Sequence, residues 1–218
     1  MFMTIRNRLA GIAIMAAVAV GGGTMAQAQN MAQVHMGHVT EGWKDTPEGK
    51  GFLPTAIAEA EIALKHAGLM MQQPDNLEWL KTHAGHVLHA IDPGAIEGGP
   101  GLGYGVLAAA AGTVKHIGLA AASEDASDNV KLHATHVAAS AENTVDRVAE
   151  MKALIEKIMA ATSASEAAAA AGKLQEHARQ LLEGRDANGD GTVGWQKGEG
   201  GLNTAAMHME LMRKGEGL

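Results

Sequence analysis

Residues 129–160, NVKLHATHVAASAENTVDRVAEMKALIEKIMA, decide the fold class. Apolar residues recur along this stretch at the spacing of one helical face; they are Val130, Val137, Ala141, Val148, Ile155 and Met159. A long helix with one apolar stripe must bury that stripe against other helices. Helical periodicity also marks residues 56–71, 75–92, 106–122, 163–184 and 202–212. We therefore predict an all-α fold, an antiparallel bundle of about four main helices followed by a C-terminal helix-loop-helix.

The composition limits which chemistry the chain can use. Aromatic residues make up 3% and charged residues 19%, and the net charge is −7. Such an acidic chain is not expected to bind nucleic acid. It has no cysteine, which excludes disulfides, thiolate metal sites, lipid-modified cysteine and covalent C-x-x-C-H haem. A bound ion would have to be held by histidine, methionine, carboxylate or backbone oxygen.

The first residues have the three-part layout of a secretory signal peptide. Arg6 and Arg8 precede an apolar run from Leu9 to Val20, and small residues end in Ala26-Gln27-Ala28. The run is shorter than the roughly 20 residues of a membrane-spanning helix, which disfavours an uncleaved anchor. We expect cleavage of residues 1–28 after Ala28 and export to the periplasm or beyond, with no membrane association afterwards. Three segments follow in this interpretation: a flexible arm containing methionine and histidine over 29–54, a histidine-rich bundle over 55–162, and a C-terminal unit over 163–218.

Histidines are unusually frequent, with eleven in the chain, and two pairs repeat the step of three residues. On helical wheels the first histidine of each pair faces inward and the second lies at the margin one turn later. Two such pairs on facing helices could supply four nitrogens to one ion, and two single histidines on neighbouring helices could complete this site or build a second. The predicted ligands are His83 with His86, His133 with His136, and the single residues His66 and His116. Glu59, Glu61 and Asp92 are candidates to orient the outer ring nitrogens.

Copper, zinc or nickel suits such imidazole ligands, and the hypothesis is binding, storage or sensing of a transition metal. Two methionine-containing stretches, HMGH (35–38) and MHMELM (207–212), add copper-compatible donors. For the second stretch, Met209 and Met212 are better explained as core residues.

Two other functions stay open. A non-covalent b-type haem for electron transfer would pair His83 with His133, or His66 with His116, as axial ligands. A structural or interaction module would carry the histidines incidentally. An enzyme is less favoured, because no nucleophile with a poised base is evident and no Glu-x-x-His motif accompanies the histidine pairs.

The segment DANGDGTVGWQK (186–197) resembles the calcium loop of the EF-hand family. Its candidate calcium ligands stand at the family's first, third, fifth and seventh positions; they are Asp186, Asn188, Asp190 and the Thr192 carbonyl. The twelfth position, a bidentate glutamate in the family, is Lys197 here, and Glu199 is the nearest substitute. The resemblance implies a weak or degenerate calcium site between two helices.

Overall fold

The computed structural model describes residues 30–218, and these residues form seven α-helices joined by loops. The helices are α1 (Met31–Thr40), α2 (Phe52–Met70), α3 (Leu77–Ile91), α4 (Val106–Ala122), α5 (Asp128–Ala160), α6 (Ala164–Glu183) and α7 (Leu202–Gly215). Within this described part there is no β-strand, only an isolated bridge between Gly42 and Lys50. The all-α class is therefore confirmed, with seven helices where the sequence predicted about four main ones and a C-terminal pair. The expected leader and its cleavage site lie outside the described residues.

One continuous core joins all seven helices. Helix α5 packs against α3, α4, α6 and α7, while α2 packs against α1, α3, α4, α6 and α7. The core is built from alanines and aliphatic or methionine side chains, such as Met36, Leu80, Ile117, Leu174 and Met209. Because Leu174 and Met209 belong to α6 and α7, this core extends through both the predicted bundle and the predicted C-terminal unit. On the α5 stripe, Ile158 takes the buried position and Met159 is exposed.

The segment 29–54, predicted to be a flexible arm, contains helix α1. Asn30 caps α1, since its Oδ1 accepts a hydrogen bond from the Gln33 amide at 2.9 Å. Ala32, Met36 and Val39 are buried at helical spacing, and α1 packs mainly on α4. Sequence periodicity does not reveal this helix, because a ten-residue helix with three buried positions carries little periodic signal.

Close packing brings α2 and α4 together beside one of the histidines described below. A Cβ atom added to Gly112 of α4 would lie 2.4 Å from the Phe52 ring of α2, so the missing side chain is what admits this ring. The Phe52 ring in turn stacks on His116 of α4, with ring centroids 5.1 Å apart. No helix in residues 30–218 is both long enough and apolar enough to span a membrane.

Candidate metal sites

Nine of the eleven histidines form three clusters of three, which we name by position. The N-terminal triad is His35, His38 and His116; the hairpin triad is His66, His83 and His86; the C-terminal triad is His133, His136 and His208. Each triad combines two histidines three residues apart on one helix with a single histidine from another helix. The pairs lie on α1, α3 and α5, and their single partners lie on α4, α2 and α7. The three clusters thus share one construction.

The Nδ1 atoms of each triad converge on one point. His116 Nδ1 lies 3.2 Å from the Nδ1 atoms of both His35 and His38. The corresponding distances are 3.0 and 3.2 Å from His66 to its pair, and 3.2 and 3.3 Å from His208 to its pair. Two imidazole nitrogens bound to one tetrahedral ion at about 2.0–2.1 Å stand about 3.3 Å apart. The triads therefore have the nitrogen spacing of ligands around a single transition-metal ion.

The expectation of one site with four histidines from two facing pairs is wrong. His83 and His86 of α3 meet His66 of α2, whereas His133 and His136 of α5 meet His208 of α7. His66 lies in the triad of the α3 pair, and His116 lies in a separate triad whose other members come from α1. The histidine pairs lie at the predicted spacing of three residues, but the two pairs belong to different triads.

Sequence reasoning left three ligand candidates unassigned, His35, His38 and His208. A signal for the first two exists, because His-x-x-His-Val occurs three times, as HMGHV (35–39), HAGHV (83–87) and HATHV (133–137). All three valines are fully buried, which explains why the motif extends to them. His66 and His116 share a second motif, KHAGL (65–69) and KHIGL (115–119). His208 lies in MHMEL (207–211), which retains only the histidine and leucine of that motif.

The environment favours the neutral imidazoles that metal binding requires. Burial, followed by repulsion from the other histidines of the triad, lowers the pKa of His66, His116 and His208 to about 4. Burial also lowers the pKa of His35, His83 and His136. At neutral pH these rings are uncharged, so nitrogen lone pairs are available to a cation.

Each triad has one deeply buried member and two partly exposed ones. The buried rings are His116, His83 and His208, with 5%, 6% and 9% of their surface exposed. The Nε2 atom of His83 is buried without a hydrogen-bond partner. Such an atom is costly in an apolar interior. In the hairpin triad this nitrogen is therefore buried at a cost in free energy.

Every tryptophan of the chain packs against a triad. Trp43 lies 4.9 Å from His38 and 4.8 Å from His116 between ring centroids. Trp79 lies 4.3 Å from His83, and its Nε1 donates to the Leu69 carbonyl at 2.7 Å. Trp195 stacks on His136 at 4.2 Å with an interplanar angle of 24°. The chain has three tryptophans, so each triad has one indole limiting the movement of its rings.

The loop that carries Trp195 is held by two polar side chains of α5. Buried Arg147 donates from Nη1 to the Gly200 carbonyl and from Nη2 to the carbonyls of Gly198 and Glu199. Asn143 donates to the Gln196 carbonyl at 2.8 Å and accepts from the Gly198 amide at 2.6 Å. Burial lowers the pKa of Arg147 to about 10, which leaves it charged at neutral pH. These contacts tie the indole position to α5, which carries two histidines of the same triad.

The acids proposed to orient the imidazoles act elsewhere in the protein. Buried Glu59 accepts hydrogen bonds from the amides of Leu102, Tyr104 and Gly105, and so holds the glycine-rich loop before α4. Asp92 pairs with Lys152 at 2.6 Å, and Glu61 is exposed. Their predicted role toward the ring nitrogens is not supported by these contacts.

The two histidines outside the triads have ordinary structural contacts. His89 Nδ1 accepts a hydrogen bond from the Gly101 amide at 3.1 Å, on the same glycine-rich loop. His177 lies 3.2 Å from a Glu150 carboxylate oxygen. They provide natural controls for any experiment on the triads.

The EF-hand-like segment lies in the loop between α6 and α7. Asp186 accepts hydrogen bonds from the amides of Gly189 and Gly191, at 2.7 and 2.9 Å. Glu199 is buried, and its Oε2 accepts from the Gly194 amide at 2.8 Å. The loop covers residues 184–201, longer than the 12-residue connection of an EF-hand. Calcium binding here stays a prediction.

Comparisons of the chain with protein-family models, with curated proteins and with solved structures found no match.

Proposed function

We propose that the protein binds transition-metal ions, one at each histidine triad, and serves in metal binding, storage or sensing. The observation that carries this proposal is that the Nδ1 atom of the single histidine in each triad lies 3.0–3.3 Å from the Nδ1 atoms of both pair members, with all three ligand atoms within 4.8 Å of one another. Imidazole nitrogen suits copper, zinc and nickel. These ions are the proposed ligands.

The triad geometry favours a bare ion over haem. Axial ligands stand on opposite faces of a haem with the macrocycle between them, whereas the Nδ1 atom of each single histidine lies only 3.0–3.3 Å from those of its pair. The proposed haem pairs, His83 with His133 and His66 with His116, each fall into two different triads. The interpretation that the histidines are incidental predicts no metal above background.

Stoichiometry tests the proposal directly. Protein loaded with zinc or copper and passed through a desalting column should retain three equivalents by elemental mass spectrometry. His66→Gln, His116→Gln and His208→Gln should each remove one equivalent, because each variant leaves its triad with two nitrogens. The matched controls His89→Gln and His177→Gln alter histidines outside the triads and should retain all three. Retention of three equivalents in a variant lacking all three single histidines would reject the proposal.

A further inference from the structure

We infer that an ion in the N-terminal triad keeps one coordination position for an exchangeable small ligand, such as water, hydroxide or a small anion. This inference rests on the proposed function. It adds a binding activity at the metal, with monodentate oxygen, nitrogen or halide donors as the ligand class.

The N-terminal triad supplies only three donor atoms to an ion. The cluster of His35, His38 and His116 contains three ligand atoms, and no aspartate or glutamate in the described part of the chain joins it within the same 4.8 Å. Zinc, cobalt and related ions commonly take four ligands in a tetrahedral arrangement, and three protein ligands with an open fourth position typify sites that bind water or substrate. A ligand from solution therefore completes the coordination.

Two histidines of the N-terminal triad are accessible from solvent. His35 lines a surface depression of about 580 Å³ together with Met31, Leu119 and Asp125. His38 lines another, of about 690 Å³, together with Gly37 and Glu41. Both rings of the pair are partly exposed. A small molecule can therefore approach the triad from the α1 side.

The third histidine, His116, lies on the side of the triad that faces the protein interior. His116 is 5% exposed, and the rings of Trp43 and Phe52 pack against it with centroids 4.8 and 5.1 Å away. These aromatic rings exclude polar molecules from the interior side. The triad therefore lies between solvent-accessible depressions beside His35 and His38 and an aromatic wall beside His116.

Charge supports binding of an anion at this position. Three neutral imidazoles leave the full charge of a divalent cation uncompensated. Of the acids that line the two depressions, Asp125 already accepts hydrogen bonds from the Met31 and Ala32 amides at 2.6 and 3.1 Å, Glu41 pairs with Arg213 at 2.6 Å, and Glu124 lies on the first depression outside the 4.8 Å cluster. An anion from solution that binds the metal would therefore neutralise part of the cation's positive charge.

Cobalt(II) provides the test, because its visible spectrum reports coordination number and ligand exchange. The full chain carrying His66→Gln and His208→Gln retains only the N-terminal triad. Loaded with one equivalent of cobalt(II), it should show the intense visible bands of a four-coordinate site. Adding azide should shift these bands saturably, and dialysis should reverse the shift. Adding His116→Gln should abolish both the cobalt bands and the azide response.

The outcomes separate this inference from the proposed function. Failure of the single-triad protein to bind cobalt rejects the metal site itself. Bound cobalt with bands that azide does not move overturns the inference alone.

Met31→Leu is the second control, because a thioether from the depression is the competing fourth ligand. A cobalt spectrum altered by this variant before azide is added would also overturn the inference. If the double variant does not fold, the wild-type chain with three equivalents of cobalt replaces it, and the azide response must then decrease in His116→Gln.

Discussion

His116 Nδ1 lies 3.2 Å from His38 Nδ1 although 78 residues separate them in the chain. An ion bound between these rings would connect α1 to α4. The C-terminal triad similarly joins α5 to α7, because His208 is 75 residues from His133. Metal binding at these two triads would therefore be coupled to packing of the first and last helices on the rest of the core.

This coupling predicts that metal stabilises the fold. An ion that binds only the folded state adds about 2.7 kcal/mol per site when its free concentration is 100 times Kd. We expect zinc to raise the Tm measured by circular dichroism and a chelator to reverse the rise. His89→Gln should respond as the wild type does. A Tm that is the same with and without saturating zinc would contradict three folded-state metal sites.

Acid should destabilise the metal-free protein. In the unfolded chain histidine has a pKa near 6.5, whereas the pKa values of His66, His116 and His208 in the folded protein are about 4. The unfolded state therefore binds more protons between these values, so this stabilisation is fully present above about pH 6.5 and is lost as pH falls toward 4.

Urea unfolding of the metal-free protein at several pH values checks this dependence. In the variant with His66, His116 and His208 all replaced by glutamine, the free energy of unfolding should decrease less steeply as pH falls over the same range. Equal slopes in both proteins would place the acid sensitivity in other groups. Metal affinity should weaken over the same range, since protons compete for the same nitrogens.

Arg147→Met should impair the C-terminal triad selectively. The substitution removes the donors for three carbonyls in the loop carrying Trp195, and unsatisfied buried polar groups cost about 1–3 kcal/mol. We expect a lower free energy of unfolding and weaker metal binding at the C-terminal triad, because Trp195 stacks on His136 of that triad. In a Trp43→Phe, Trp79→Phe background, Trp195 fluorescence should report copper binding at this triad. Unchanged titration midpoints would show that the loop does not position the site.

Glu59→Gln should destabilise the protein without removing metal. The buried carboxylate accepts three amide hydrogen bonds from residues 102–105, and an amide group would place a donor against at least one of these donors. We expect a loss of about 1–3 kcal/mol in the free energy of unfolding, measured in urea, with three metal equivalents retained. Loss of the hairpin triad's ion in this variant would instead support the original role proposed for Glu59 toward a histidine ring.

Calcium should bind weakly, if the EF-hand-like loop follows the chemistry of the family it resembles. Weak sites have Kd values of about 10⁻⁴–10⁻³ M, and Lys197 places a positive charge where the family supplies two oxygens. Lys197→Glu should tighten binding, and Asp190→Asn should weaken it, by isothermal titration calorimetry. The same calcium affinity in all three proteins would argue against an ion at residues 186–197.

The sequence by itself determined most of the helices and the spacing of the histidine pairs. Six of the seven helices follow from apolar periodicity, because a helix's buried face is a local property of 3.6-residue spacing. The geometry of two histidines three residues apart is equally local, which is why His83 with His86 and His133 with His136 were recognised as pairs. Helix α1 is not apparent from the sequence, because three buried residues over ten positions are too few to establish a periodic pattern.

Only the tertiary structure decided which histidines share a site. The same number of residues separates His66 from His83 and His116 from His133, yet the first two meet and the second two do not. Helix α4 packs against α1, α2 and α5, and burial of Ala109, Ile117 and Ala120 sets its rotation about its own axis. That rotation directs His116 to α1. The choice among several neighbours depends on the packing of the whole core, which spacing along one helix does not encode.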